Sequence, residues 1–108
     1  MNIRKYRWSR HYESAEEELL DILHAKHINA ERWHADEYEE FPAHKHPHDK
    51  QLWCAEGSIA FVINGKEVSL QTGDTLDLPA GTVHKATAGF SGCVCYEFPR
   101  IADNPSEV

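Results

Sequence analysis

The chain has 108 residues, of which 41% are hydrophobic and 27% are charged. This composition is typical of a single soluble globular domain. It contains no apolar stretch long enough for a membrane helix, and its basic N-terminus lacks the features of a signal peptide, so we expect a cytoplasmic protein without a membrane partner. The formal net charge of −7 argues against a nucleic-acid partner, because phosphate binding needs a cationic surface.

Residues 1–29 are predicted to form an N-terminal arm followed by one helix. Ser14 and Glu17 have the spacing of a capping box, which predicts a helix over residues 14–26. The apolar residues of this segment repeat at helical spacing and form one stripe, made of Ala15, Leu19, Ile22 and Leu23. We therefore expect the helix to pack by this stripe against the outside of the remaining domain.

After Asn29 the helical period is lost, and short β-forming segments alternate with turn residues. Asn64-Gly65 is the strongest hairpin signal, because both central residues of a type I′ turn need positive φ. We also predict a turn at residues 56–58 and a loop at residues 88–92, which would divide the C-terminal half into many short strands. The pattern predicts an all-β barrel over residues 30–98, followed by a polar tail over residues 99–108.

Three histidines alternate in the segment from Ala43 to Asp49, at positions 44, 46 and 48. Alternate side chains of an extended strand point to one face, so these imidazoles can converge. Imidazole is the commonest metal-ligating side chain. Another histidine, His84, follows the turn Pro79-Ala80-Gly81. From these residues alone, a metal or ligand site competes with a solvated, histidine-rich edge strand.

These two histidine regions resemble the paired motifs of the cupins, which are small double-stranded β-helix (jelly-roll) barrels. In the first motif His44, His46 and Gly57 match, but Lys50 stands where cupins typically have Glu. The second motif matches at Gly73, Pro79, Gly81 and His84, while Ala88 replaces its terminal Asn. The resemblance covers residues 44–88 and implies an all-β barrel. The helix of residues 14–26 lies outside the resemblance.

The resemblance implies that His44, His46 and His84 bind one divalent transition metal, such as Fe, Zn, Ni, Mn or Cu. It does not supply the usual carboxylate ligand. Three neutral imidazoles still make a competent site with open positions for water or substrate. Gln51 offers an amide oxygen as a further ligand, and His48 is a substitute ligand if the strand bulges.

Lys50 is the clearest departure from the family pattern. The motif spacing points it into the barrel, where it would bind an anionic group of a substrate or act as a base or an amine nucleophile. Alternatively it extends to the barrel mouth and covers apolar surface. Arg32 and His34 share one strand face and are candidates for lining the mouth, in competition with a surface position. For Asp77 and Glu97 an inward position as acids competes with a solvent-facing one, and we expect them to face solvent.

Two functional hypotheses follow from the resemblance. The first is a metal-dependent enzyme that acts on a small molecule by dioxygenase or lyase chemistry. If Lys50 points into the barrel, this molecule is expected to carry an anionic group. The alternative is a non-catalytic ligand-binding or sensing protein in which Lys50 marks a degraded metal site. In either case we expect a homodimer, because short barrels leave edge strands that need to be covered.

Overall fold

The computed structural model describes residues 3–7 and 15–99, and within these ranges it contains seven strands and one helix. The elements in chain order are β1 (Arg4–Arg7), α1 (Ala15–Ala25), β2 (Glu31–Ala35), β3 (Glu40–His44), β4 (Lys50–Ile63), β5 (Lys66–Gln71), β6 (Asp74–Leu78) and β7 (His84–Pro99). The strands pair antiparallel in the order β1-β6-β4-β7-β2, with β3 also on β7 and β5 also on β4. The predicted all-β architecture with one N-terminal helix is confirmed.

The helix α1 forms where the apolar stripe and the acidic first turn predict it. Ala15, Leu19 and Leu23 are its buried residues. The predicted helix start at Ser14, and with it the capping box, lies outside the described residues. The polar tail predicted after Pro99 lies outside them as well.

Alternation along the long strands separates two apolar clusters. Leu52 and Cys54 of β4 belong to the larger cluster, which fills the barrel. Trp53 and Ala55, which alternate with them along β4, belong to a second cluster that also contains Leu19 of α1. We call the barrel-filling side of the sheet the inner face and the helix-covered side the outer face. Because successive side chains of a strand point to opposite faces, position along β4 or β7 decides which cluster a residue joins.

The predicted interruptions at residues 56–58 and 88–92 are wrong, because β4 and β7 each continue through them. The pairing of the two strands shifts between Cys54 and Glu56 and again after Gly57, as in β-bulges. Gly57 has φ +77°, and a Cβ there would collide with the carbonyl oxygen of Gly92. Gly57 and Gly92 therefore allow β4 and β7 to pack closely at the bulge, and neither strand ends in a turn there.

The Asn64-Gly65 hairpin is confirmed. Both residues have positive φ, 53° and 77°, and Ile63 pairs with Lys66 across the turn. At the other side of the sheet β1 pairs with β6, so part of the N-terminal arm covers that edge within the same chain. The homodimer stays a prediction. No helix in the described ranges has the length and apolarity needed to cross a membrane.

Candidate metal centre

Three of the predicted ligands come together at one end of the barrel. His44 is the last residue of β3 and pairs directly with His84, the first residue of β7. His46 lies in the loop after β3, with its ring centroid 4.8 Å from that of His44 and 5.2 Å from that of His84. One ring nitrogen from each residue lies within 4.8 Å of the other two.

Backbone hydrogen bonds hold the two histidine loops against each other. The N–H of Gly81 donates to the carbonyl oxygen of His46 over 2.8 Å. The N–H of Ala80 donates to the Asp49 carboxylate over 2.8 Å. The turn that precedes His84 is therefore fastened to the loop that carries His46, and this contact sets the spacing of the two motifs in space.

Two of the rings have a defined orientation. The Nδ1 atom of His44 lies 3.0 Å from the carbonyl oxygen of Pro42, and that of His84 lies 2.9 Å from the carbonyl oxygen of Thr82. A carbonyl oxygen only accepts hydrogen bonds, so each Nδ1 carries the proton and each Nε2 of a neutral ring keeps its lone pair. Metal-ligating histidines are commonly oriented by such a bond to their second nitrogen.

The environment also favours the neutral form that a metal needs. Burial lowers the pKa of His84, whose side chain sits in the barrel, and it lowers the pKa of His46 as well. His44 also lowers the pKa of His46, while the charge of Glu97 opposes that shift. For His84, the hydrogen bond to Thr82 and then Glu97 oppose the shift, and both His44 and His46 act with burial to lower the pKa. Neutral imidazoles at physiological pH are ready to bind a cation without first releasing protons.

Lys50 and Glu97 form an ion pair on the inner face, with 3.5 Å between Nζ and the carboxylate. Their side chains are only 19% and 15% exposed. Both residues have the inward parity of Leu52, because Lys50 lies two residues before it and Glu97 pairs with it across the strands. Lys50 thus projects into the barrel. The expectation that Glu97 faces solvent is wrong.

Gln51, considered above as a ligand, belongs to the outer face. Its amide nitrogen donates to the Tyr6 hydroxyl and to the Asp77 carboxylate, each over 2.8 Å. Its amide oxygen accepts from the indole N–H of Trp53 over 2.8 Å. This network also overturns the solvent-facing expectation for Asp77, which is buried and ion-paired with Arg4. The amide of Gln51 is therefore directed away from the histidines.

The remaining candidates lie elsewhere. His48 is exposed and is not part of the three-histidine group. Arg32 is on the outer face, where it donates to Glu16 of α1. His34 is 69% exposed and lines a different cavity of about 410 Å³, together with Gly57 and Cys93 at the bend of the long strands. The structure brings none of these three side chains into the histidine cluster.

Sequence reasoning did not assign Glu97 to the site. A signal for it exists: Cys93, Cys95 and Glu97 alternate along one strand, so an inward placement of the cysteines implies an inward carboxylate.

Comparison with known proteins agrees with this geometry. A family model for the cupin domain matches residues 31–92. No curated protein matches the chain. Among solved structures, a cupin-2 domain protein from Shewanella frigidimarina is 25% identical, with a TM-score of 0.57 over 66% of this chain and 69% of that one. An RmlC-like cupin from the same organism is 23% identical, with a TM-score of 0.58 over 68% of this chain and 67% of that one.

The fold likeness extends beyond the matched region. A DUF861 family protein from Thermotoga maritima is 14% identical, and the superposition covers 92% of this chain and all of that chain with a TM-score of 0.65. At this identity the likeness concerns the fold alone. The family match spans more than half of the sequence and includes both histidine motifs. The chain therefore belongs to the cupin family.

Proposed function

We propose that this cupin binds one divalent first-row transition metal through His44, His46 and His84. The observation that carries the proposal is the convergence of three ring nitrogens within 4.8 Å of one another. The donor set fits such an ion, because imidazole suits Zn, Fe, Ni and Cu, and a three-histidine site leaves coordination positions open. The hydrogen bonds from His44 and His84 to backbone carbonyls support the same assignment, since they occupy Nδ1 and leave the lone pair of Nε2 available to a metal.

We further propose that the barrel interior beside this site receives a small molecule. Phe61 provides an apolar wall, with its ring centroid 6.2 Å from that of His84. The indole N–H of Trp33 is buried and has no hydrogen-bond partner among the described residues. Buried polar groups are normally paired, so an unpaired donor packed against the barrel core is suited to a ligand acceptor.

A bound metal would supply Lewis-acid or redox chemistry, which is the basis of the dioxygenase and lyase hypotheses. The chain's own contribution is to orient the ligand through Trp33 and the apolar wall. Lys50 is the candidate catalytic residue, but its ammonium group is already paired with Glu97. An anionic ligand group would therefore have to compete with Glu97 for Lys50.

A non-catalytic ligand-binding protein is the second candidate function. The observation that favours it is Lys50, a cation placed on the inner face where the family motif usually supplies a carboxylate. In this alternative the barrel holds an organic ligand without a metal. The two candidates differ in whether freshly purified protein contains stoichiometric metal.

The test is elemental analysis of protein purified without an affinity tag. We expect close to one equivalent of a transition metal in the wild type. His84→Ala and His44→Ala should each lose it, because two imidazoles make a weak site. His48→Ala, which removes an exposed histidine outside the cluster, should retain it. His44 is exposed, so its replacement leaves the barrel core intact if His84→Ala fails to fold. The proposal would be contradicted by wild-type protein that contains no metal and does not bind added zinc, iron or nickel.

A further inference from the structure

We infer that Glu97 is the residue that makes the three-histidine site compatible with a divalent cation despite Lys50. It supplies, from the last strand, the negative charge that the first motif lacks. This inference rests on the proposed metal site. It assigns a role to a residue that lies beyond the stretch matched by the family model, which ends at residue 92.

The strand register explains how the two charges meet. Lys50 pairs with Pro99 and Leu52 pairs with Glu97, so Lys50 and Glu97 are diagonal neighbours on the same face of adjacent strands. Diagonal neighbours lie within reach of long side chains. The contact is thus set by the pairing of β4 with β7, and Glu97 is the first inward position of β7 after Cys95.

The turn between β6 and β7 connects this pair to the histidine loop. Lys50 begins β4, whereas His84 is paired with Ile63 at the far end of the same strand. Lys50 also pairs with Leu78 of β6, and in the turn that follows, the N–H of Ala80 donates to the Asp49 carboxylate and that of Gly81 to the carbonyl oxygen of His46. The start of β4, and with it the Lys50–Glu97 pair, therefore lies beside the loop that carries His46.

Burial strengthens the electrostatic effect of Lys50 and Glu97 on a cation bound at the histidines. The side chain of Lys50 is only 19% exposed, so its ammonium charge is poorly screened by water and on its own would oppose a cation bound at the imidazoles. The carboxylate of Glu97, 15% exposed, offsets that charge at 3.5 Å. Glu97 does not belong to the group of close ligand atoms, so we assign it a positioning and charge-compensating role and not that of a fourth ligand.

A purely structural ion pair is the competing explanation, and a double-mutant cycle on zinc affinity separates the two. The variants are Glu97→Gln, Lys50→Met and the double variant, each compared with the wild type by competition with a chromophoric chelator. Glu17→Gln is the matched control, because it removes the same charge from an exposed position on α1. Folding of each variant is followed in parallel by circular dichroism.

We expect Glu97→Gln to weaken zinc binding by about tenfold or more, in the range known for residues that support metal ligands. Lys50→Met should leave the affinity unchanged or raise it. In the Lys50→Met background, the Glu97→Gln change should have little effect, because no ammonium group remains to be offset. Glu17→Gln should match the wild type.

Three results would overturn the inference while leaving the proposed metal site intact. One is Glu97→Gln with wild-type zinc affinity. Another is an equal loss with and without Lys50, which would make Glu97 a ligand in its own right. The third is weaker zinc binding by Lys50→Met, which remains measurable even if Glu97→Gln does not fold. By contrast, a wild type without zinc affinity contradicts the metal site itself.

Discussion

Two ion pairs occupy opposite faces of the same sheet. On the outer face Arg32 donates to Glu16 over 2.8 Å, and the two side chains are 52% and 31% exposed. On the inner face Lys50 and Glu97 are 3.5 Å apart, but they are 19% and 15% exposed. The shorter contact is the more solvated one. Screening by water reduces the electrostatic energy of the outer pair far more than the difference in distance increases it.

This comparison teaches that the face of the strand, more than the distance between charges, decides what a charge can do. Tyr96 and Glu97 are consecutive in β7 and point to opposite sides. Tyr96 joins the outer apolar cluster and donates to Glu16 over 2.6 Å. Glu97 lies on the inner face, where it pairs with Lys50. The outer face should therefore contribute to stability with little effect on metal binding, and the inner face should have the reverse effect.

The largest expected effect on stability lies on the outer face. Leu19 is fully buried between α1 and the sheet, so Leu19→Ala should cost about 3 kcal/mol of unfolding free energy through lost burial and the cavity left behind. Leu20→Ala is the control, because Leu20 is 46% exposed. Urea denaturation measures both. Zinc stoichiometry of folded Leu19→Ala should equal that of the wild type, and its loss would break the separation of the two faces.

A smaller effect is expected on the inner face as pH falls. In metal-free protein, burial holds the pKa of His84 and of His46 below the ordinary value of about 6.5. Between the folded and unfolded pKa values, the unfolded chain binds more protons. The stabilisation is therefore complete above the unfolded pKa and is lost as pH falls from 7 through the folded values.

Unfolding free energies of chelator-treated protein between pH 7 and pH 5 measure this slope. His84→Gln should flatten it, and His48→Gln, at an exposed position, should not. An unchanged slope in His84→Gln would mean that the burial of this imidazole does not govern acid sensitivity in this range.

On the outer face, the loss of folding stability with falling pH should occur in a more acidic range. Hydrogen bonds from Arg32 and then from Tyr96 hold the pKa of Glu16 below its ordinary value. The stabilisation from Glu16 is present above the unfolded pKa and is lost as pH falls through the folded one, so it concerns a more acidic range than the histidines. Glu16→Gln should reduce the loss of stability between pH 5 and pH 3. If the exposed Glu17→Gln gives the same reduction, the hydrogen bonds of Glu16 are not its cause.

Local sequence patterns predicted most of the fold. They were wrong at Gly57, whose structural role depends on a contact with a residue that is distant in the chain. The stripe of Leu19 and Leu23 and the Asn64-Gly65 turn act through near neighbours, and both are found in the structure. Gly57 was interpreted as part of a turn. Gly57 does have positive φ, but the close approach of Gly92 places it at a bulge within a continuous strand and not in a turn. That contact joins residues that are distant in the chain.

The same distinction applies to the site. The spacing of the two motifs identified the three histidines that the structure brings together, because those residues occupy fixed positions in a known pattern. The partner of Lys50 lies on another strand, and only the register of β4 with β7 places Glu97 beside it. Gln51 lies on the outer face for a simpler reason: it neighbours Lys50 in sequence, and adjacent strand residues point to opposite faces.

The smallest expected effect concerns the outer pair itself. A double-mutant cycle of Glu16→Ala and Arg32→Ala should give only a small coupling energy, because both side chains are substantially solvated. Since Glu16 also accepts from the Tyr96 hydroxyl, the cycle is best measured in a Tyr96→Phe background, where that bond is absent. Urea unfolding at low salt and at 1 M salt supplies a second criterion, because the coupling of solvated charges should decrease at high ionic strength. A coupling energy that does not decrease at 1 M salt would show that the outer pair behaves like a buried one, and burial would then fail to explain the difference between the two faces.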